Sequence, residues 1–252
     1  MVYFVGAGPG DTELITVKGM KRLSSADSVI YAGSLVNPAL LDYVKTGCEI
    51  HDSASKTLED VIEIMLANEK RGYQTVRLHT GDPSLFGAIK EQIDILAQNG
   101  VPYEIIPGVS SFAGAAAVLG AEYTLPGVSQ TVILTRMEGR TPVPERERIS
   151  ELSKIRASMA IFLSSGMLPE LSAMLIEGGY PRDTPAAIVY KATWPDEKII
   201  QTTIEGLPGA GAENGISKTA IILVGDFLGG DYERSMLYNP GFTHGYRTGD
   251  EG

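Results

Sequence analysis

Three short runs in the chain combine residue types that could handle a ligand, and each follows an apolar run that reads as a strand. The first is Gly6-Ala7-Gly8-Pro9-Gly10-Asp11. It invites comparison with the dinucleotide fingerprint G-x-G-x-x-G, but Asp11 stands where the third glycine belongs. A carboxylate opposes a pyrophosphate at a helix N-terminus, and Pro9 deletes one backbone donor. The loop's carbonyls and acid suit a neutral or cationic ligand better than a phosphate; a tight structural turn is an equally good reading. A P-loop is excluded, because no G-x-x-x-x-G-K-S/T run occurs. The second run is Thr80-Gly81-Asp82-Pro83-Ser84-Leu85-Phe86-Gly87. Pro83 stiffens its turn, the glycines allow close backbone approach, and Asp82 is a natural acceptor for an ammonium or a ribose hydroxyl. The third is Ile106-Pro107-Gly108-Val109-Ser110-Ser111. One of Ser110 and Ser111 is expected to cap the following helix, which leaves the other hydroxyl for a ligand.

The elements that must position these runs alternate. Strands are expected at 2–5, 28–32, 75–79 and 103–106. A helix capped by Asp11 is expected after the first. Amphipathic helices follow at 57–71, stopped by Gly72, and at 89–97, stopped by Gly100. Alternation of this kind predicts a mainly parallel sheet with helices on its faces. The three runs then sit at the carboxyl ends of strands, where open α/β sheets bind ligands. The second half reads differently, with strands at 131–135, 159–163, 186–190, 198–204 and 218–224. A turn around Pro195-Asp196 joins two of them as an antiparallel hairpin, so this sheet is mixed. The fold class is α/β in two domains, 1–113 and 114–252, divided within the small-residue stretch 108–120. The polar tail from 231 reads as a frayed terminus, with Met236-Leu237-Tyr238 as a candidate edge strand.

Composition narrows the function classes. The 252 residues carry a formal net charge of -10, which argues against a nucleic-acid partner. Cys48 is the single cysteine, so no intrachain disulfide forms and a reducing cytoplasm is expected. His51, His79 and His244 lack metal-ligand spacing, so no protein metal site is expected. No stretch approaches the roughly 20 apolar residues of a membrane span, and the start, without a basic run or a long apolar run, is not expected to act as a signal peptide.

In order and spacing, from about residue 2 to 228, G-A-G-P-G-D, H-T-G-D-P-S-L-F-G and I-P-G-V-S-S resemble the tetrapyrrole methyltransferase family. The runs at 31–36, 130–136, 138–144 and 189–198 resemble the branch that methylates carbon 11 of precorrin-4 or cobalt-precorrin-4. The resemblance implies the tetrapyrrole methylase fold, two α/β domains with S-adenosylmethionine in the cleft between them, and a homodimer. By position it implies that Pro9, Thr80, Gly81, Asp82, Leu85, Ser110, Ser111, Leu163, Ala192 and Ala220 line the cofactor site. The N-terminal glycine loop, with Gly8, Gly10 and Asp11, would face the substrate, joined by Ser34, Arg136, Glu138 and Arg140.

Methyl transfer from a sulfonium is an in-line displacement, and the enamine-like carbon of a reduced tetrapyrrole is already nucleophilic. Positioning can then supply much of the acceleration, on the order of 7–11 kcal/mol in the best-oriented cases. No triad or paired carboxylates are evident, and Asp82, Tyr190 and Lys191 are the candidates for any assisting side chain. An acidic protein acting on a carboxylate-rich substrate needs local cations. Between 136 and 156 lie Arg136, Arg140, Arg146, Arg148, Lys154 and Arg156 against four acidic residues. Lys191 and Lys198 add to them, although a solvated helix face explains most of that charge. Trp194 either stacks on the ring or packs the hairpin. Three alternatives compete: a sibling methyltransferase acting on another precorrin, uroporphyrinogen or a protein; a nucleotide-dependent oxidoreductase, disfavoured by Asp11; and a non-catalytic binding module.

Overall fold

Every strand of the first sheet runs in the same direction, which gathers the strand ends, and the loops leaving them, on one edge. A computed structural model describes residues 1–249, so the last three residues of the second expected domain lie outside the described residues. The chain divides into two compact units, Met1–Gly114 with Lys191–Glu197, and Ala115–Tyr190 with the chain from Lys198 on.

The first unit runs β1 (Val2–Gly6), α1 (Val17–Ser25), β2 (Ser28–Tyr31), β3 (Glu49–Asp52), α2 (Leu58–Lys70), β4 (Thr75–His79), α3 (Lys90–Gln98) and β5 (Tyr103–Ile106). The next helix, α4 (Ser111–Leu119), carries the chain past the division. The strands pair in the order β3-β2-β4-β1-β5, all parallel. Side chains alternate across each strand, and both faces are covered. Tyr3, Val5, Val76 and Leu78 pack with Leu23 of α1. Phe4 and Ile30 pack with Val61 and Met65 of α2 and Ile93 and Leu96 of α3. Thr57 and Asp60 close a capping box at α2. Two details correct the sequence reading. Asp11 caps a short 3-10 turn at Thr12–Leu14, and Thr16 caps α1 through the Gly19 N–H. The strand β3 was not foreseen.

The second unit holds β6 (Val132–Arg136), α5 (Ile149–Leu152), β7 (Ser158–Phe162), α6 (Leu168–Glu177), β8 (Pro185–Tyr190), β9 (Lys198–Thr203), α7 (Leu207–Glu213) and β10 (Ala220–Val224). Its order is β6-β7-β10-β8-β9, with β6 and β7 parallel and every other pair antiparallel. This is the expected mixed sheet, including the hairpin, in which Tyr190 pairs with Lys198. Met159, Ile161, Ile188, Ile222 and Val224 pack against Leu168, Leu171 and Leu175 of α6. Met236–Tyr238 forms a 3-10 turn, not an edge strand.

Candidate active site

The three glycine-bearing runs meet, backbone against backbone, at the carboxyl ends of β1, β4 and β5. The register pairs Gly6 with His79 and Val5 with Ile106, which brings the loops that follow together. A Cβ on Gly6 would fall 2.5 Å from Gly108 Cα and 2.6 Å from Gly81 O. A Cβ on Gly108 would fall 2.2 Å from Gly81 O. Only glycine permits that approach. Gly8 and Gly81 exchange backbone hydrogen bonds: the Gly81 N–H donates to Gly8 O at 2.9 Å and the Gly8 N–H to Gly81 O at 3.3 Å.

Asp82 fastens this junction. Its Oδ2 accepts the Gly108 N–H at 2.8 Å, and its Oδ1 accepts the Ser84 N–H at 2.8 Å and the Ser84 hydroxyl. Burial pushes its pKa up, but the bonds from the Ser84 hydroxyl, the Gly108 N–H and the Ser84 N–H outweigh burial and hold it below the ordinary value. The group remains an anion beside Gly81. Pro9, Gly81 and Ser110 are buried, Asp82, Leu85 and Ser111 are half-buried, and Thr80 is exposed. Ser110 stands immediately before α4, and its carbonyl accepts the Ala113 and Gly114 N–H groups.

The N-terminal glycine loop reads in sequence as suited to a neutral or cationic ligand or, equally, as a tight structural turn. Three of its carbonyls in succession already accept from the protein: Gly8 O from Gly81, Pro9 O from Trp194 Nε1 at 2.8 Å, and Gly10 O from Asn37 Nδ2 at 2.8 Å. Gly10 lies under the Trp194 ring, and the Asp11 N–H donates to Thr193 Oγ1 at 2.9 Å. Asp11 itself is exposed, as is Ser34 in the 3-10 turn Gly33–Leu35.

A second group of candidates gathers at one end of the second sheet. Arg136 pairs with Phe162 at the ends of the parallel strands β6 and β7, next to Leu163. Tyr190 pairs with Ala220, because β10 runs back antiparallel to β8. Leu163 is 69% exposed with φ 54, a left-handed conformation that costs a leucine about 1–2 kcal/mol. Backbone of this kind clusters at ligand sites. The Arg136 guanidinium donates to the carbonyls of Met137 (3.0 Å), Thr141 (3.2 Å) and Pro142 (2.8 Å), so it braces its own loop. Glu138 lies 3.7 Å from Arg148, and Arg140 is exposed. Ala192 is buried in the segment Lys191–Glu197, where Lys191 Nζ lies 2.6 Å from Asp196 Oδ2. Thr193 and Asn37 are site-shaping residues that sequence reasoning did not place, and Trp194, read as stacking on the ring or packing the hairpin, instead covers the glycine loop. Among the described residues no cluster of metal-ligating side chains occurs.

The family model of the tetrapyrrole (corrin/porphyrin) methylases matches residues 1–208. The chain belongs to this family. Among tetrapyrrole methylases, the cobalt-precorrin-4 C(11)-methyltransferase of Methanocaldococcus jannaschii is 53% identical over 247 residues, 98% of this chain and 95% of that protein. A solved cobalt precorrin-4 methyltransferase has a TM-score of 0.89 and 49% identity, covering 91% of this chain and 96% of that one. A uroporphyrin-III C-methyltransferase from Thermus thermophilus, solved with S-adenosylhomocysteine, has a TM-score of 0.73 and 26% identity, covering 90% and 93%. The two α/β sheets and the tetrapyrrole methylase fold are those the sequence led us to expect.

Proposed function

We propose that this tetrapyrrole methylase transfers a methyl group from S-adenosylmethionine to carbon 11 of cobalt-precorrin-4. The observation that carries the reading is 53% identity over 98% of the chain to a cobalt-precorrin-4 C(11)-methyltransferase. The geometry is consistent with it. The glycine junction holds the loops leaving β1, β4 and β5 together at the carboxyl ends of the strands, where open α/β sheets bind ligands, and the charge held there is the Asp82 anion, which suits a cationic cofactor. When bound, S-adenosylmethionine supplies an electrophilic methyl on a sulfonium.

In this reading the residues that hold the cofactor are Pro9, Thr80, Gly81, Leu85, Ser110, Ser111, Leu163, Ala192 and Ala220. Asp82 keeps the loops of β4 and β5 in register, so that Gly81 and Ser110 stay placed. Gly8, Asp11, Ser34, Glu138 and Arg140 face the tetrapyrrole, and Arg136 keeps the 137–142 loop in shape for it. Tyr190 and Lys191, with Asp82, are the candidates for an assisting side chain; a strong base is not required, because the carbon is already nucleophilic. The active form is a homodimer in the cytoplasm. No helix among the described residues is long and apolar enough to cross a membrane.

The test is a panel of tetrapyrroles, with uroporphyrinogen III, metal-free precorrin-4 and cobalt-precorrin-4 each incubated with labelled S-adenosylmethionine. Label in the cobalt substrate, with little in uroporphyrinogen, is the expected result. Preference for uroporphyrinogen would move the chain to a sibling branch. Cofactor binding with no transfer to any member would overturn the enzymatic reading.

A further inference from the structure

We infer that Trp194 is a positioning residue for the tetrapyrrole, acting through the glycine loop it covers. The inference rests on the proposed function, in which that loop faces the substrate. The ring of Trp194 lies directly on Gly10: a Cβ there would fall 2.1 Å from Cδ1, 2.6 Å from Nε1 and 2.8 Å from Cγ. The indole N–H donates to Pro9 O at 2.8 Å. Two residues are thus fixed by one side chain, one by contact and one by a hydrogen bond. The neighbouring Thr193 accepts the Asp11 N–H, so the attachment extends through the acidic end of the loop.

The segment that presents Trp194 is held in an uncommon conformation. Lys191 and Thr193 have φ 47 and 68, left-handed values at residues that are not glycine. Such backbone persists only where its surroundings over-determine it, and it clusters where geometry serves a site. Here the surroundings are visible. Glu197 Oε2 accepts the Thr193 N–H at 2.5 Å, the Trp194 N–H donates to Lys191 O at 2.9 Å, and the Glu197 N–H donates to Trp194 O at 3.1 Å. Lys191 Nζ sits 5.0 Å from the Trp194 ring centroid, within cation–π reach. A packing role for the hairpin would be met by any large apolar side chain. A donor aimed at a glycine-loop carbonyl, over a glycine that admits no Cβ, serves the shape of the loop.

Trp194 is the single tryptophan of the chain, so its emission reports on the contact directly. Gly10→Ala should displace the ring and red-shift that emission before any substrate is added. Trp194→Phe keeps an aromatic side chain but removes the donor. Its KM for the tetrapyrrole should rise about tenfold, the equivalent of one hydrogen bond, with kcat and S-adenosylmethionine affinity within about threefold of wild type. Gly10→Ala should lower kcat/KM at least about thirtyfold alone, but by less than about threefold in a Trp194→Ala background, because the clash is then gone. Unshifted emission, an unchanged KM, equal losses in both backgrounds, or a fall in kcat and cofactor affinity alike would each overturn the inference. An inactive wild-type enzyme would instead count against the proposed function, and the emission test would still stand.

Discussion

Replacing Asp82 by alanine removes a side chain that bonds the loop after β4 to the loop after β5. Its carboxylate accepts the Gly108 N–H at 2.8 Å, the Ser84 N–H at 2.8 Å and the Ser84 hydroxyl. Hydrogen bonds to a charged group contribute about 1.5–3 kcal/mol each. Ser84 is exposed, so water takes over its two donors, and only the bond from half-buried Gly108 is lost at near full strength. The expected destabilisation is therefore about 2–3 kcal/mol, with Asp82→Asn near half of that because a carbonyl acceptor remains. The sign with pH follows from the depressed pKa. Stability from Asp82 is complete above the unfolded carboxyl value and is lost as pH falls through the lower folded value, so the alanine variant should show less acid sensitivity. Urea unfolding of the three proteins gives the stabilities, and calorimetry gives S-adenosylmethionine affinity, expected to fall at least about tenfold in the alanine variant. An alanine variant within about 0.5 kcal/mol of wild type would refute the bracing role. Lost stability with unchanged affinity would refute the link from brace to cofactor.

Gly108→Ala places a methyl 2.2 Å from Gly81 O and 2.7 Å from Gly6 Cα, both backbone atoms that cannot turn aside. Unfolding should show a loss of about 1–3 kcal/mol or more, with cofactor binding abolished; wild-type affinity would mean the junction is not the cofactor site. His79 is buried, and desolvation, with the nearby Arg77 charge, lowers its pKa to about 3. The unfolded chain therefore binds a proton below about pH 6.5 that the folded chain refuses. Stability present above that pH should be lost at up to about 1.4 kcal/mol per unit as pH falls toward 3. Between pH 6.5 and 5, wild type should lose about 1.6 kcal/mol more than His79→Phe, and equal slopes would show that His79 is not held neutral.

The parallel half of the fold was legible because strand runs and amphipathic helices alternate with glycine stops, and because glycines cluster where loops must touch. The strand β3 escaped because Glu49-Ile50-His51-Asp52 alternates half-buried and exposed residues at a sheet edge, without the apolar run of the other strands. The helix α7 was hidden by its composition. Leu207-Pro208-Gly209-Ala210-Gly211 is a poor helix by propensity, and burial of Leu207 and Gly211 against Leu168 overrides it. Arg136 has the residue type of a substrate cation, and only coordinates reveal the three carbonyls it serves. The Trp194 contact joins residues 184 positions apart in the chain, from Gly10 to Trp194, through two left-handed residues whose types give no sign of it.

The most direct test of the account follows a single turnover with ¹³C-methyl S-adenosylmethionine and cobalt-precorrin-4 by NMR. One new methyl resonance coupled to carbon 11 is the predicted result. A methyl at any other carbon, or none with the cofactor bound, would contradict it.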